Sequence, residues 1–328
     1  MTAAVTAAAF FRENARWLIA GLLLTFCSNV GQTYFIAIFS GEIRGAFDLS
    51  HGQFGLFYTV ATLASGFTII WLGQTADFRN FRLVAVICLG LLATVTLGMG
   101  INPSAWLLVP LLYGLRLLGQ GMMGHLAFTA MGKWFARNRG RAVSTAALGQ
   151  PIGEAILPAI MVAVIATYGL RASWVTSGLI LLVVGVPLLW LLLARERTPQ
   201  SRVEGGGDDD TFARDRTRAE ALRMPTFHIL LVCVLAPGFI MTGLFFHQVH
   251  IAELKGWSLQ LYALGFTAYA VTSVIFMLVS GWAIDRWSAV ALLPVALMPL
   301  ILAILVLLLF SAPAAAIVYL GLAGCSVG

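Results

Sequence analysis

The sequence predicts an all-α membrane protein built from two related bundles of helices. Three observations lead to this expectation: long apolar runs, very few charges, and a motif that recurs at a fixed spacing. Of the 328 residues, 60% are hydrophobic and only 10% are charged, and the mean hydropathy is +0.91. Soluble domains carry about 25% charged residues. Most of this chain is therefore expected to face lipid or other helices and not water.

The apolar runs predict about ten transmembrane helices, because a spanning helix needs ~20 mostly apolar residues. The segments are 17–40, 53–74, 82–101, 105–131, 142–167, 173–194, 227–250, 258–282, 289–310 and 313–328. The first is too long for the apolar core of a signal peptide, so a retained helix is expected. Residues 1–194 form a six-helix bundle in this interpretation, and 226–328 form a second, incomplete bundle of helices seven to ten. The stretch 195–225 between them contains three consecutive glycines and balanced charges, which predicts a flexible cytoplasmic linker.

The loop charges predict an orientation. If the N-terminus is cytoplasmic, sixteen of the 20 Lys and Arg residues lie in inside segments, and three (Arg44, Arg171 and Lys255) lie outside. Positive residues accumulate in cytoplasmic loops, so the N-terminus is expected inside a bacterial-type inner membrane. The same bias accounts for the net charge of +6 without a nucleic-acid partner. The four cysteines fall singly in apolar runs, which predicts neither disulfides nor a metal site.

A shift of 208 residues superimposes the second segment on the eighth without gaps. Six residues of the first copy recur identically in the second: Ser50, Leu56, Thr59, Ser65, Gly73 and Asp77. The last two form Gly-x-x-x-Asp at the same end of both helices, and their second copies are Gly281 and Asp285. This coincidence of position indicates an internal duplication.

The repeated motif predicts a conformational gate. Glycine lets a neighbouring helix approach closely, and an aspartate is favoured where a neighbouring helix begins. The basic residues that can bridge to the two aspartates are Arg79, Arg82 and Arg286. Such contacts would hold helix ends together in one state and release them in another. The alternative is a solvated loop charge that only aids insertion.

The sequence resembles the major facilitator superfamily in this motif and in four others. The segments are Gly73-Gln-Thr-Ala-Asp77, Gly281-Trp-Ala-Ile-Asp285-Arg286, Arg116-Leu-Leu-Gly-Gln-Gly121, Trp134-Phe with Asn138-Arg-Gly-Arg141, Gly149-Gln-Pro-Ile-Gly153 and Tyr168-Gly-Leu-Arg171-Ala-Ser-Trp174. The resemblance covers essentially the whole chain and implies two pseudo-symmetric bundles with twelve helices in total. About ten of these are present, so a C-terminal truncation is expected. Asn80 departs from the family pattern, since it replaces the usual second glycine of the first loop motif.

Two ionisable groups fall near mid-depth, where charges are costly and usually functional. Arg116 lies in the fourth segment, and Gln120 shares its face at ~100° per residue. We expect Arg116 and Gln120 to bind an anionic substrate; the alternative for Arg116 is a permanent structural pair with Glu154. Glu154, in the fifth segment, is expected to carry a proton, because burial disfavours its charged form and a nearby Arg116 favours it.

The remaining candidates for substrate binding are Asn29 and Gln32 in the first segment, His247 in the seventh and Tyr269 in the eighth. For the first two, packing between helices is an equally good interpretation. His247 can bind substrate, act as a pH-sensitive gate, or simply lie at the interface. In the fifth segment, Gly149, Pro151 and Gly153 predict a helix kink.

The sequence contains no recognisable nucleotide site, catalytic triad or metal cluster, so we expect no enzyme, cofactor or metal. Gly205-Gly206-Gly207 lacks a following lysine, and Gly119-Gln-Gly121 lies inside a membrane helix. We therefore expect a monomeric secondary transporter that moves a small solute by alternating access, with proton symport or antiport.

The predicted solute is a small organic anion. The segments Phe245-Phe-His-Gln248 and Trp257-Ser258 resemble the branch that contains monocarboxylate and oxalate/formate carriers. One alternative is proton-driven efflux of hydrophobic compounds. An alternative of another class is a transporter-like sensor or scaffold that moves nothing.

Overall fold

The computed structural model describes residues 2–73, 80–135, 138–195, 220, 222–287, 292, 295 and 297–327. The regular elements in these ranges are all helices. This follows from the composition, because a helix satisfies every backbone hydrogen bond within its own segment and so tolerates a lipid environment. The chain divides into two compact units, Met1–Ser201 and Arg202–Gly328.

The N-terminal unit is a bundle of long apolar helices with short interruptions. Its α-helices are α1 (Thr2–Ser28), α2 (Thr33–Ile38), α3 (Ser40–Phe47), α4 (His51–Leu72), α5 (Phe81–Ile101), α6 (Leu108–Gly114), α7 (Gly124–Trp134), α8 (Arg139–Ala147), α9 (Gly149–Ile180) and α10 (Val186–Leu192). Turns of 3-10 helix occupy Asn29–Gly31 and Ala105–Leu107. Two π-helical segments, Leu115–Met123 and Leu181–Gly185, join α6 to α7 and α9 to α10.

The C-terminal unit is helical in the same way. Its described helices are α11 (Pro225–Phe246), α12 (Gln248–Lys255), α13 (Leu259–Trp287), α14 (Met298–Leu309) and α15 (Pro313–Cys325). The chain bends by 62° between α11 and α12, at His247.

Six helices of the described chain are long and apolar enough to cross a membrane, or seven if the bent pair counts as one span. One of the six runs for 54 residues, Arg139–Leu192, which is ~80 Å of helix against a hydrocarbon core of ~30 Å. Gly169 (φ 77°, ψ 177°) breaks this run, at the predicted boundary between the fifth and sixth segments. The chain is thus a multi-pass membrane protein. The count of ten spans stays a prediction, because α14 and α15 have only 12 and 13 residues.

Helix α1 lies at the centre of the N-terminal unit and packs through glycines. A Cβ added to Gly31 would lie 2.7 Å from the Cα of Gly119, and one added to Gly119 would lie 2.6 Å from the Cα of Gly31. Small residues allow membrane helices to approach this closely. Gly149 and Gly153 bring α9 against α1 in the same way.

Helices α4 and α13 repeat one buried face at the 208-residue spacing. The buried residues are Phe54, Tyr58, Ala61 and Ser65 in α4, and Tyr262, Phe266, Tyr269 and Ser273 in α13. The Oγ of Ser50 accepts a hydrogen bond from the amide of Gln53 at 3.2 Å. The Oγ of Ser258 accepts one from the amide of Leu261 at the same distance. The duplication seen in the sequence is therefore also a duplication of helix capping and packing.

Candidate functional site

The first membrane segment is interrupted at the polar residues that the sequence singles out. Helix α1 gives way to a 3-10 turn at Asn29–Gly31, and Gln32 has an extended backbone (φ −74°, ψ 151°) before α2 begins. The side chain of Asn29 closes this break. Its Nδ2 donates to the carbonyl of Phe26 at 2.8 Å, and its Oδ1 accepts from the hydroxyl of Tyr34 at 2.7 Å. A broken helix is tolerated at membrane depth where it is buried or lines a cavity.

Asn29 and Gln32 consequently have different surroundings. Asn29 is fully buried, and its polar atoms bond to the protein. Gln32 is only half-buried. In a continuous helix these two residues would lie on one face, and the extended backbone at Gln32 removes that register. Gln32 is therefore the more accessible of the two.

Arg116 lies in the π-helical segment beside the break. Its Nη1 donates to the Oγ1 of Thr33 at 3.1 Å and to the carbonyl of Gly31 at 3.3 Å. The same Oγ1 accepts from the hydroxyl of Tyr58 at 2.8 Å, and the Cζ of Arg116 lies 5.3 Å from the centroid of the Tyr58 ring. The side chain is 6% exposed, and its Nε has no hydrogen-bond partner. Arg116, Thr33 and Tyr58 are called the Arg116 cluster below.

Gln120 does not join this cluster in the described contacts. It is exposed, whereas Arg116 is buried. The sequence interpretation used the 100° step of an α-helix, but Leu115–Met123 is π-helical. Hydrogen bonds from i to i+5 change the angle between residues four apart, and such segments are frequent at functional sites.

Glu154 lies on α9 and is 4% exposed. The Nε2 of Gln150 donates to its Oε1 at 3.0 Å. In the described part of the chain, no carboxylate lies within ion-pair distance of Arg116. The permanent pair considered for Arg116 and Glu154 is thus not formed in this structure, and the two buried side chains have separate partners.

The C-terminal unit carries the other two candidates for substrate binding. His247 is exposed at the bend between α11 and α12. Tyr269 is buried on α13, with its ring 5.4 Å from that of Phe245 and 6.1 Å from that of Phe266. Tyr269 is thus part of an aromatic cluster within its own unit.

The gating motif is described only in part, because Asp77 and Arg79 lie outside the described residues. Gly73 ends α4, and its carbonyl lies 2.7 Å from the Nε2 of His125. Arg82 lies in the first turn of α5 and stacks on Trp190, with its Cζ 3.5 Å from the ring centroid.

The second copy of the motif is helical and not a loop. Gly281, Asp285 and Arg286 lie within α13, which continues to Trp287, and Arg286 is exposed. Gly73 directly follows α4, whereas its counterpart Gly281 lies inside α13. The two aspartates are not compared, because Asp77 lies outside the described residues.

The kink expected at Gly149, Pro151 and Gly153 stays a prediction; these residues lie at the start of α9, next to its junction with α8. Leu148 separates the two helices, and Pro151 lies in the first turn of α9. Proline lacks the N–H that would bond to the carbonyl four residues earlier and crowds that carbonyl. Gly149 and Gly153 supply the close approach to α1.

Sequence reasoning missed the partners of Arg116. Tyr58 and Thr33 were not among the predicted binding residues, although Tyr58 shares a helical stripe with Phe54, Ala61 and Ser65. A tyrosine hydroxyl on a mostly apolar stripe of a membrane helix was the available signal. In the described residues, no three His, Cys, Asp or Glu side chains come together as a metal site would need.

Comparison with known proteins identifies relatives over most of the chain. The sequence profile described as Major Facilitator Superfamily matches residues 21–328. Two similar proteins are both called membrane sensor protein UhpC. The protein from Salmonella typhimurium is 29% identical over 157 residues, which cover 47% of this chain and 35% of that protein. The protein from Escherichia coli is 24% identical over 254 residues, which cover 73% of this chain and 57% of that protein. The chain thus spans about a third to a little over half of these relatives.

Solved structures share the fold at lower identity. A bacterial homologue of the human lysosomal transporter Spinster, inward-facing and unoccupied, has a TM-score of 0.65 and 19% identity, covering 94% of this chain and 74% of its own. The nucleoside transporter NupG has a TM-score of 0.64 and 11% identity, covering 96% of this chain and 79% of its own. A D-xylose–proton symporter has a TM-score of 0.58 and 16% identity, covering 97% of this chain and 80% of its own. At these identities the likeness shows the fold alone.

Proposed function

Because the chain belongs to the Major Facilitator Superfamily, we propose that it is a secondary transporter that carries a small organic anion across a bacterial-type inner membrane. The solved neighbours are named as transporters and not as enzymes, in agreement with the absence of catalytic motifs from the sequence. Alternating access between two bundles is the mechanism such a fold offers.

The observation that carries the proposal is the Arg116 cluster. The guanidinium is 6% exposed, keeps an unpartnered Nε and has no carboxylate of the described residues within ion-pair distance. Burying an unpaired charge is costly. A carboxylate from the solute would remove that cost, since arginine and carboxylate form short, charge-assisted hydrogen bonds. Thr33 and the ring of Tyr58 hold the guanidinium in place before the solute arrives.

The test is uptake of carboxylates by proteoliposomes containing the reconstituted protein. Arg116→Gln is expected to abolish uptake, because the counter-charge is lost. Arg116→Lys is expected to retain reduced uptake, because an ammonium keeps the charge but not the planar geometry. Arg12→Gln removes an equal charge from an exposed position on α1 and serves as the control. Uptake that survives Arg116→Gln contradicts the proposal, and dye resistance in a host without carboxylate uptake would favour efflux.

Glu154 is the proposed proton carrier. Burial of its carboxyl group favours the neutral form of Glu154, whereas the one hydrogen bond that Gln150 donates favours the charged form. Glu154→Gln fixes the neutral form, so uptake is expected to lose its dependence on an imposed pH gradient while solute exchange continues. Glu13→Gln, at an exposed position on α1, is the matched control. Unchanged pH-driven uptake by Glu154→Gln would refute this role.

A membrane sensor is the second candidate, since both curated relatives carry that name. A sensor would bind its ligand at the same buried arginine without moving it. Saturable ligand binding by the reconstituted protein, lost in Arg116→Gln and accompanied by no uptake or exchange, would favour this candidate over a carrier.

A further inference from the structure

The last turn of α10 lies beside arginines from two other helices of the N-terminal unit. The guanidinium of Arg82, on α5, stacks on the indole of Trp190 with its Cζ 3.5 Å from the ring centroid. Immediately beyond, the guanidinium of Arg16 donates to the carbonyls of Leu191 and Leu192. Two positive charges thus contact the same turn, at the end of the sixth predicted membrane segment.

The two arginines differ in their hydrogen bonds. Arg16 bonds to carbonyls that the end of a helix leaves without an intrahelical partner, which is a structural role. The Nε of Arg82, in contrast, is buried and has no hydrogen-bond partner. Stacking occupies only the flat face of a guanidinium, so its in-plane N–H groups stay available for an acceptor. A buried donor costs free energy until an oxygen accepts from it.

The surroundings of Arg82 are positively charged. The Nε1 of Trp17 donates to the carbonyl of Arg195 at 3.2 Å, so a third arginine lies at this end of the unit. Within the described residues, no carboxylate forms an ion pair with any of the three arginines. An anion is therefore favoured at this position.

The two helices beside the arginine expose apolar side chains along their length. A Cβ added to Gly185, just before α10, would lie 3.6 Å from the Cδ2 of Leu89 on α5, so the two helices are neighbours here as well. The exposed residues are Leu83, Ile87 and Leu91 on α5, and Leu188 and Leu191 on α10. Trp190 itself is 43% exposed, as is typical of an indole at a membrane interface. An apolar surface that ends in a positive charge matches the acyl chains and headgroup of an anionic phospholipid.

We propose that Arg82 and Trp190 form a binding site for one anionic phospholipid on the outer surface of the N-terminal unit. Its phosphate accepts hydrogen bonds from the guanidinium of Arg82, and its acyl chains lie along α5 and α10. Arginine suits this role because its planar N–H groups match two phosphate oxygens. The lipid belongs to the bilayer and is not the transported solute, so the site is independent of the proposed function.

The test is a titration of phosphatidylglycerol into the purified protein in detergent micelles, followed as a rise in Tm. Phosphatidylcholine with the same acyl chains carries no net charge and is the reference lipid. In the wild type, phosphatidylglycerol is expected to raise Tm saturably, and phosphatidylcholine is not. Arg82→Gln is expected to raise the half-maximal lipid concentration at least about fivefold, which is the contribution of one basic residue at a membrane surface. Equal responses of the wild type to both lipids overturn the site.

Two further variants separate a specific site from diffuse attraction. Arg12→Gln removes the same charge from an exposed position on α1 and is expected to keep the wild-type titration. Trp190→Leu keeps the charge of Arg82 but removes the ring that orients it, so weaker binding of phosphatidylglycerol is expected. A loss in Arg12→Gln equal to that in Arg82→Gln, or wild-type binding by Trp190→Leu, overturns the site.

Two other occupants of the guanidinium give different results. If a soluble anion binds there, inorganic phosphate alone will raise Tm as much as phosphatidylglycerol, and the lipid site is overturned. The sequence also predicts a bridge from Arg82 to Asp77, which lies outside the described residues. If that bridge is the partner, Arg82→Gln will lower Tm equally in both lipids and leave the phosphatidylglycerol titration unchanged, which again overturns the lipid site.

Discussion

Gly31 and Gly119 determine where the guanidinium of Arg116 lies. The carbonyl of Gly31 accepts a hydrogen bond from Arg116, and the two glycine backbones touch. Any side chain at Gly31 would push α1 away from the π-helical segment. A methyl group at this position is therefore expected to disturb both the stability and the binding site.

We expect Gly31→Ala to lower Tm by several degrees, since overpacking costs about 1–3 kcal/mol, and to weaken uptake of carboxylates. The measurements are thermal unfolding of the purified protein and proteoliposome uptake. Gly45→Ala is the control, because nothing lies within 4 Å of an added Cβ on that helical residue. Equal Tm values for the two variants would show that the glycine contact does not constrain the helices.

Single residues also show how much of the candidate site could be predicted from the sequence. A buried role for Arg116 followed from its position in an apolar segment, and the structure buries it. Its partners Thr33 and Tyr58 did not follow, because a helix break and a π-helical segment alter the register on both sides of the contact. Neither irregularity leaves a periodic signal, so side-chain angles computed for an ideal helix were wrong here.

At the scale of elements, Gly169 separates two membrane segments that would otherwise form one continuous helix. Its backbone (φ 77°, ψ 177°) is essentially restricted to glycine. We expect Gly169→Ala to lower the free energy of unfolding by about 1–3 kcal/mol, measured as a loss in Tm. Gly140→Ala, in open space on α8, should leave Tm unchanged or raise it slightly. A neutral Gly169→Ala would mean that the break is set by other residues.

The repeat of α4 and α13 could be predicted because identical residues recur at one spacing. The sequence supplied the shift of 208, and the structure adds that the capping serines and buried stripes coincide. Differences within the repeat are then informative. Phe54 against Tyr262 is such a difference, because a phenol replaces a phenyl ring at equivalent buried positions, whereas the identities alone indicate only common descent.

For the whole molecule, the helical membrane fold and the family followed from composition and motifs, and the family profile confirms them. The number of transmembrane spans could not be predicted as firmly from the sequence. Apolar length alone cannot distinguish a full span from the shorter helices α14 and α15, or reveal the 62° bend at His247. These features depend on packing against neighbours.

Orientation is the remaining property of the whole molecule, and the geometry of the N-terminal unit makes it testable. The Nε of Arg16 donates to the carbonyl of Leu192 at 2.7 Å, which places the start of the first apolar segment, in the middle of α1, beside the end of α10. Arg82 stacks on Trp190 at the same end. Arg171 lies against the far end of α5, beside Gly100. Arg16 and Arg82 therefore lie at the opposite end of this unit from Arg171, and a cytoplasmic N-terminus stays the prediction of the loop charges.

Cysteine labelling in intact cells tests that orientation. In a variant whose native cysteines are replaced by alanine, Arg171→Cys is expected to react with a membrane-impermeant maleimide from outside. Glu13→Cys is expected to react only after the membrane is permeabilised, although both positions are exposed on the protein. The two sites control for each other, because cell lysis would make both reactive. The opposite pattern would place the N-terminus outside, and the positive residues would then lie on the side that the charge rule disfavours.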